Sequence, residues 1–400
     1  MSFFSEKLNR FKPSLTVKIS QKARELKRIG KEIISLSSGE PDFDTPLHIK
    51  KKAIEAINNG FTKYTAVDGV MDLKEAIVKK FKVDNSIDYE TEQITVGVGG
   101  KHVIYNLFMS TLNKNDEVII PAPYWVSYPE IVSLCGGNPV IVETDEEENF
   151  KISAEKLDKA INKNTKWVIL NSPSNPTGSV YTKTELIDIT KILMKHEKVW
   201  ILTDDIYEHL IYDNCKFLNI INVEPSLYGR SFIVNGVSKA YSMTGWRIGY
   251  GAGSKELIKC ISKIQSQSTT NPTSISQMAA ISALSSDKEF LKDWIRQFEE
   301  RRDFVFSSFN QIKGLNCLKP NGAFYLFVSC NELLNKRRNN GEEIKSDLEF
   351  ADYLLEQAGV AVVPGLAFGK SPYFRISYAS SMNQLNSAIQ KIKEAVNLLQ

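Results

Sequence analysis

The sequence predicts an α/β protein, with a mostly parallel sheet covered by helices in a large domain and a smaller domain after it. Three observations predict this. Between about residues 94 and 253, short apolar runs alternate with helical stretches, the pattern of successive strand–helix–strand units. The runs are nearly continuous in apolar residues, as in strands buried on both faces. After about residue 310 the order changes to strand, helix, two strands and a last helix, which marks a second unit. At 400 residues, one large domain plus a smaller one is the expected organisation.

Residues 1–30 are polar and partly helical, with an early turn at Lys12–Thr16. From Ile33 a strand breaks into a Gly/Pro loop ending at Pro46. In it, Gly39 either lets backbone approach a ligand or makes a plain turn. His48–Asn59 has helical periodicity and stops at Gly60, and a second helix runs from about Asp72 to Phe81. Ile94–Val98 is a strand running into Gly99-Gly100-Lys101 and a helix through Ser110. Such a junction is a phosphate cup, because free N–H groups and the helix dipole favour an anion; plain helix–strand packing is the alternative. The dinucleotide fingerprint fails, since its third glycine would fall at His102, and the P-loop spacing fails as well. Glu117–Pro121 is a strand. The proline-bounded loop after it carries Tyr124, Trp125 and Tyr128, which suit stacking on a planar ligand or packing at a core or interface. Asn138–Val142 is a strand, and Glu143–Glu148 a solvated acidic loop.

Lys166–Leu170 is a strand ending in Asn171-Ser-Pro-Ser-Asn-Pro-Thr-Gly178. Pro176 holds Asn175 out of helical conformation, at the carboxyl end of a strand where such sheets place ligands. After a helix at about Thr184–His196, the strand Val199–Tyr207 ends in Asp204, Asp205 and Tyr207. A carboxylate at a core strand end needs a partner or a function; Asp205 also reads as a helix N-cap. Ser231–Asn235 is a buried strand leading to Ser238-Lys239, with Arg247 in a second strand-like stretch. Lys239 could form a Schiff base with a carbonyl cofactor and Arg247 could grip a phosphate; the alternative is two cations capping loop ends. A helix spans Lys255–Gln267, and a long amphipathic region through about Asn310 bridges to the second unit. There, strands are expected at Ala323–Val328, Val360–Val363 and Tyr373–Tyr378, with a helix over Asp347–Ala358. Arg375, between Phe374 and Ile376, faces a pocket or a sheet edge.

The composition is 42% apolar and 24% charged with a net charge of +3, which points to neither a nucleic-acid groove nor a membrane surface. No apolar run approaches the roughly 18 residues a membrane span needs, and the N-terminus has no signal-peptide core. Five dispersed cysteines fit reduced thiols in a cytoplasm, and four histidines without a ligand motif give no reason to expect a metal.

Taken together, Asn175-Pro-Thr-Gly, Asp204-Asp-Ile-Tyr207, Ser238-Lys239, Gly245-Trp-Arg247-Ile-Gly and Tyr373-Phe-Arg375 resemble the fold type I, pyridoxal-phosphate-dependent aminotransferases of the aspartate aminotransferase family. They occur in that family's order, and the likeness spans essentially the whole chain. It implies a seven-stranded, mostly parallel sheet sandwiched by helices, plus a smaller α+β domain. The implied division is 1–47 as N-terminal segment and lid, 48–290 as cofactor domain and 291–400 as small domain. It further implies that Lys239 holds pyridoxal 5′-phosphate and moves the α-proton, that Asp204 pairs with the pyridine nitrogen, and that Tyr207 and Asn175 bind the phenolic oxygen. Trp125 would stack on the ring. Gly99, Gly100, Lys101, Ser238 and Arg247 would surround the phosphate end, with Tyr64 arriving from the neighbour in a homodimer with shared sites. Arg375 would grip the substrate α-carboxylate, with Gly39, Trp125 and Asn175 nearby. The bacterial subgroup that includes aspartate/prephenate aminotransferases is the nearest in pattern, with Lys12, Thr16 and Lys101 resembling its set for a distal carboxylate; a solvated charge is the plain reading of Lys12. The implied substrates are aspartate and 2-oxoglutarate, with prephenate as a second acceptor. Alternatives are an aromatic or broad-specificity aminotransferase, or a lyase or synthase on the same fold. A non-catalytic regulator would need a fused DNA-binding segment, and the sequence shows none.

Overall fold

Six of the seven strands in the main sheet run in one direction in the computed structural model, which describes residues 3–13 and 15–400. Ser14, inside the expected early turn, lies outside those residues, as do Met1 and Ser2. The spatial order is Ile94–Gly97, Gly249–Ala252, Ser231–Gly236, Trp200–Asp204, Thr165–Asn171, Glu117–Ala122, Asn138–Glu143; only Gly249–Ala252 runs against the rest.

Side chains alternate across this sheet, and each face has its own helical cover. Val118, Ile120, Trp167, Ile169, Leu202 and Phe232 pack against the helices Gly100–Thr111, Tyr128–Leu134 and Lys255–Ser266. Ile119, Val168, Leu170, Ile201 and Ile233 face the opposite way, toward Met71–Asn85, Lys183–Lys195 and Ser274–Ser285. The fully buried central strands explain the unbroken apolar runs of the sequence.

The second core surrounds a four-stranded antiparallel sheet in the order Val363–Pro364, Tyr373–Ser377, Tyr325–Ser329, Asn316–Cys317. The helix Glu289–Phe309 joins the two cores: Leu291 belongs to the first, while Phe298, Val305 and Phe309 belong to the second. Ile34–Ser35 pairs in parallel with Val360–Ala361, so the N-terminal segment is stitched to the C-terminal part of the chain.

Three expectations are corrected here. The stretch 360–363 is two short strands in two different sheets. The helix begun at Asp347 ends as a wider turn over Leu354–Ala358. The acidic loop is not simply solvated, because Lys156 pairs with Glu148, and Tyr373 donates to Glu146 at 3.2 Å.

Candidate active site

The carboxyl ends of the parallel strands meet the second core at a cavity of about 600 Å³. This is where an open α/β sheet leaves its ligand crevice. Asp204 ends the strand Trp200–Asp204 and is buried at the cavity floor. The Tyr128 hydroxyl donates to Asp204 Oδ2 at 2.6 Å, and the Ile206 amide donates to Oδ1 at 3.4 Å. Burial pushes the carboxyl up to about 6, although those bonds and the Lys239 charge pull it down. Asn171, at the end of the neighbouring strand, donates to the Asp204 carbonyl at 2.8 Å and accepts from the Asn175 amide at 2.9 Å.

Lys239 lies beyond the strand Ser231–Gly236, and its Nζ donates to the Gly39 carbonyl at 2.5 Å. Burial lowers this amine to about 8; Glu40 opposes the shift and the Arg375 and Arg247 charges reinforce it. The amine is therefore unusually easy to deprotonate for a lysine.

Arg375 reaches the cavity from the middle of the strand Tyr373–Ser377 and is 4% exposed. It donates to Asn175 Oδ1 at 2.8 Å and to the Ser37 carbonyl at 2.9 Å, with its guanidinium 4.3 Å from the Tyr325 ring centre. Its Nε is buried without a hydrogen-bond partner among the described residues. The Tyr207 and Tyr325 hydroxyls share a 2.7 Å hydrogen bond.

At the other end, the helix Gly100–Thr111 starts at the cavity wall. A Cβ on Gly99 would lie 2.2 Å from Arg247 Nη2, and one on Gly249 2.2 Å from the Gly100 nitrogen. Gly249 is required by close packing against backbone, and Gly99 by its left-handed φ of 85°. Arg247 is not in a strand: it has φ 57° just before Gly249–Ala252, and donates to the Thr244 carbonyl at 2.8 Å. Ser238, Lys101 and Trp125 line the same cavity, with Lys101 Nζ 5.1 Å from the Trp125 ring centre.

Gly39, Gly100, Lys101, Trp125, Asn175, Asp204, Tyr207, Ser238, Lys239, Arg247, Arg375 and Thr16 therefore share one cavity. Gly99 stands directly behind Arg247. Lys12 is exposed and is not part of the wall; its backbone amide donates to Glu130 at 2.7 Å. Tyr64 is 89% exposed and away from this cavity. Asp205 is not an N-cap. Asn219 caps the next helix, and Asp205 accepts from its Nδ2 at 2.6 Å.

Sequence reasoning missed Asn171, Tyr325, the Ser20–Arg24 part of the wall and the pairing of Tyr128 with Asp204. Tyr128 was visible as one aromatic among three, with nothing to pair it to Asp204. Ser20 and Arg24 follow Thr16 at helical spacing on Leu15–Arg28, a signal that needed the helix to be placed first.

The sequence profile of the aminotransferases of class I and II matches residues 31–392. The chain belongs to this family. The aminotransferase is 54% identical over 393 residues to the probable aspartate/prephenate aminotransferase of Rhizobium leguminosarum bv. phaseoli, covering 98% of each chain. It is 52% identical to the aspartate/prephenate aminotransferase of Cereibacter sphaeroides, again with 98% of each covered. Among solved structures, the aspartate aminotransferase of Rhizobium meliloti superposes with a TM-score of 0.97 at 48% identity, with both chains covered entirely. The Thermus thermophilus aspartate aminotransferase with maleate gives 0.91 at 38% identity, covering 99% of this chain and 100% of that one. No helix among the described residues of the aminotransferase is long and apolar enough to cross a membrane.

Proposed function

We propose that this aminotransferase binds pyridoxal 5′-phosphate and transfers the amino group of L-aspartate to 2-oxoglutarate, giving oxaloacetate and L-glutamate, and that it also converts prephenate to L-arogenate. The observation that carries the reading is the convergence of a lysine amine, a buried aspartate and a buried arginine on one cavity. The names of the relatives supply aspartate and prephenate.

The residues fit the cofactor. Two close-packed glycines and the start of a twelve-residue helix leave backbone amides and Arg247 for a phosphate. A buried carboxyl raised to about 6 suits a cationic ring nitrogen, which would hold it ionised. When bound, pyridoxal phosphate supplies a carbonyl that condenses with amines and a ring that accepts electron density from the substrate α-carbon. Lys239 would attach that carbonyl and, once displaced, carry the proton at the α-carbon. Asp204, oriented by Tyr128, would keep the ring nitrogen protonated. Tyr207 and Asn175 would donate to the phenolic oxygen, and Trp125 would cover the ring. Gly99, Gly100, Lys101, Ser238 and Arg247 would hold the phosphate end. Arg375, preset by Asn175 and the Ser37 carbonyl, has a free Nε edge and would take the α-carboxylate beside Gly39. Thr16, Lys101 and Lys12 would receive the distal carboxylate; for Lys12 this needs the N-terminal segment to move inward.

The same reading divides the chain at 1–47, 48–290 and 291–400, places it in the cytoplasm, and makes it a homodimer in which Tyr64 completes the partner's phosphate site. Assaying aspartate, glutamate and phenylalanine against 2-oxoglutarate and prephenate tests it. Aspartate should be used well over phenylalanine, and Lys239→Ala should abolish turnover. A protein that prefers phenylalanine, or one that releases ammonia without a keto-acid acceptor, overturns the assignment.

A further inference from the structure

The turn that closes the Trp200–Asp204 strand has two sides. Asp204 and Tyr207 face the cavity. Asp205 and Glu208 are equally buried but lie outside its wall, within a polar cluster behind the site. Glu208 forms an ion pair with Lys80, both almost completely buried. It also accepts from Asn85 Nδ2 at 2.6 Å and from Asn235 Nδ2 at 2.8 Å, while Lys80 Nζ donates to Asn85 Oδ1 at 2.7 Å. Asn235 in turn accepts from the Gly236 amide at 2.7 Å, at the start of the loop that presents Ser238 and Lys239. Asp205 donates its amide to the Val234 carbonyl at 2.9 Å and accepts from Asn219, which also donates to Thr203 at 2.9 Å.

Asp84, Glu208 and His209 come within 4.8 Å of one another, which would suit a metal ion in other surroundings. Here Lys80 already neutralises Glu208 and Lys288 pairs with Asp84, so a divalent ion would meet two ammonium groups. Burial pushes the Glu208 carboxyl up, but the Lys80 and His209 charges and the bonds from Lys80 and Asn85 hold it at about 2. The Glu208–Lys80 pair is thus fixed by hydrogen bonds on both sides, whereas His209 Nε2 beside it is buried without a hydrogen-bond partner among the described residues. A buried ion pair is a poor source of stability, since an apolar pair of similar volume does as well or better. What distinguishes this one is what it grips. Glu208 is the next residue after Tyr207, and through Asn235 it holds the strand end leading to Lys239.

We infer that Glu208, neutralised by Lys80, is a positioning residue that clamps the turn carrying Asp204 and Tyr207 to the loop carrying Ser238 and Lys239. It touches neither substrate nor cofactor. The clamp fixes the distance between the amine that attaches the cofactor and the acid beneath its ring. Misplacement of such groups by a fraction of an ångström is costly, whereas the fold itself has ample apolar packing on both sides of the sheet.

The inference rests on the proposal that the site binds pyridoxal phosphate, and the two fail differently. Wild type, Glu208→Gln, the double variant Lys80→Met with Glu208→Gln, and Asn235→Ala are prepared without cofactor. Melting temperature, the dissociation constant for pyridoxal phosphate, and the pH titration of the bound cofactor's visible absorbance are then measured. Hydrogen exchange of the amides in 204–208 and 235–239 is followed in the cofactor-free proteins. The double variant should melt close to wild type, because both charges leave together. It should nonetheless bind the cofactor about tenfold more weakly, with a displaced absorbance titration and faster exchange in both segments. Asn235→Ala keeps both charges and should change affinity and titration in the same direction, which preserves the test if the Glu208 variants do not fold. A double variant or Asn235→Ala protein with wild-type affinity and titration overturns the clamp. So does a loss of affinity that follows melting temperature alone. A wild-type protein that binds no pyridoxal phosphate overturns the underlying reading instead.

Discussion

Asp204 sets folding against function at a single residue. Its carboxyl sits at about 6 in the fold against an ordinary 3.8, with burial as the main cause. Below pH 3.8 it is protonated in both folded and unfolded chains and contributes nothing to the difference. As pH rises through that value, the unfolded chain releases its proton first, so the folded state loses stability until the fold's own carboxyl ionises near 6. A shift of this size corresponds to about 3 kcal/mol of destabilisation at neutral pH. Asn has nearly the same shape, stays neutral and can still accept from Tyr128. Cofactor-free Asp204→Asn should therefore melt above wild type at pH 7.5, and the gap should close as the pH is lowered toward 4. A gap that is absent at pH 7.5, or that widens in acid, would show that burial is not straining this carboxylate. The variant should also lose most of its transamination, since a neutral amide cannot hold a protonated ring nitrogen.

At the scale of elements, the helix Leu15–Arg28 is lightly seated, with Ala23 its one buried residue among those described. Ala23, Ile33, Leu355 and Ala361 make up the small buried cluster that seats it, with Ile19 and Leu26 packed alongside. Its other face puts Thr16, Ser20 and Arg24 on the cavity at i, i+4 and i+8. Arg24 has no hydrogen bond or ion pair among the described residues, whereas Arg375, Arg247 and Lys239 each have protein acceptors. In the proposed reaction, a carboxylate at the far end of the substrate would be the partner of Arg24. Arg24→Gln should raise KM for dicarboxylic substrates several-fold, leave KM for phenylalanine nearly unchanged and change kcat little. Steady-state kinetics on both substrate types decide it, and equal losses on each would remove the role. This helix also shows how far the sequence could be read. The strands of the main sheet were legible because burial on both faces writes an unbroken apolar run, and the strand-end motifs were legible because proline, glycine and charge are unusual there. The strands at Ile34 and Val360 were expected as well, but neither their parallel pairing nor the split of 360–363 between two sheets was, since so short a run carries no signal of its partner. Tyr325, and the pairing of Tyr128 with Asp204, escaped for a similar reason: such a ring looks like core until the acid or arginine it serves is placed beside it.

Over the whole molecule, the helix Leu47–Asn58 is apolar on two sides. Ile49, Ala53 and Ala56 face the core, while Leu47, Ile54 and Ile57 are exposed, as are Phe61, Tyr64 and Met71 further along the chain. An outward apolar stripe of this kind on a folded chain marks a surface that another molecule covers. Two-fold symmetry makes a second copy of the same chain the simplest occupant. In the proposed homodimer Tyr64, 89% exposed, would reach across the axis. If it completes the partner's site, sites in a mixed dimer are separable. A subunit with Tyr64→Ala keeps its own Lys239, and beside a Lys239→Ala subunit it receives an intact Tyr64. The other site in that dimer carries both defects. Equal amounts of the two variants, unfolded together and refolded, should form half mixed dimers with one sound site each, so about a quarter of wild-type activity per subunit should return. That is well above the sum of the two variants refolded separately. Were Tyr64 to serve its own subunit, no pairing of these chains could build a sound site and the mixture would stay at the sum of its parts.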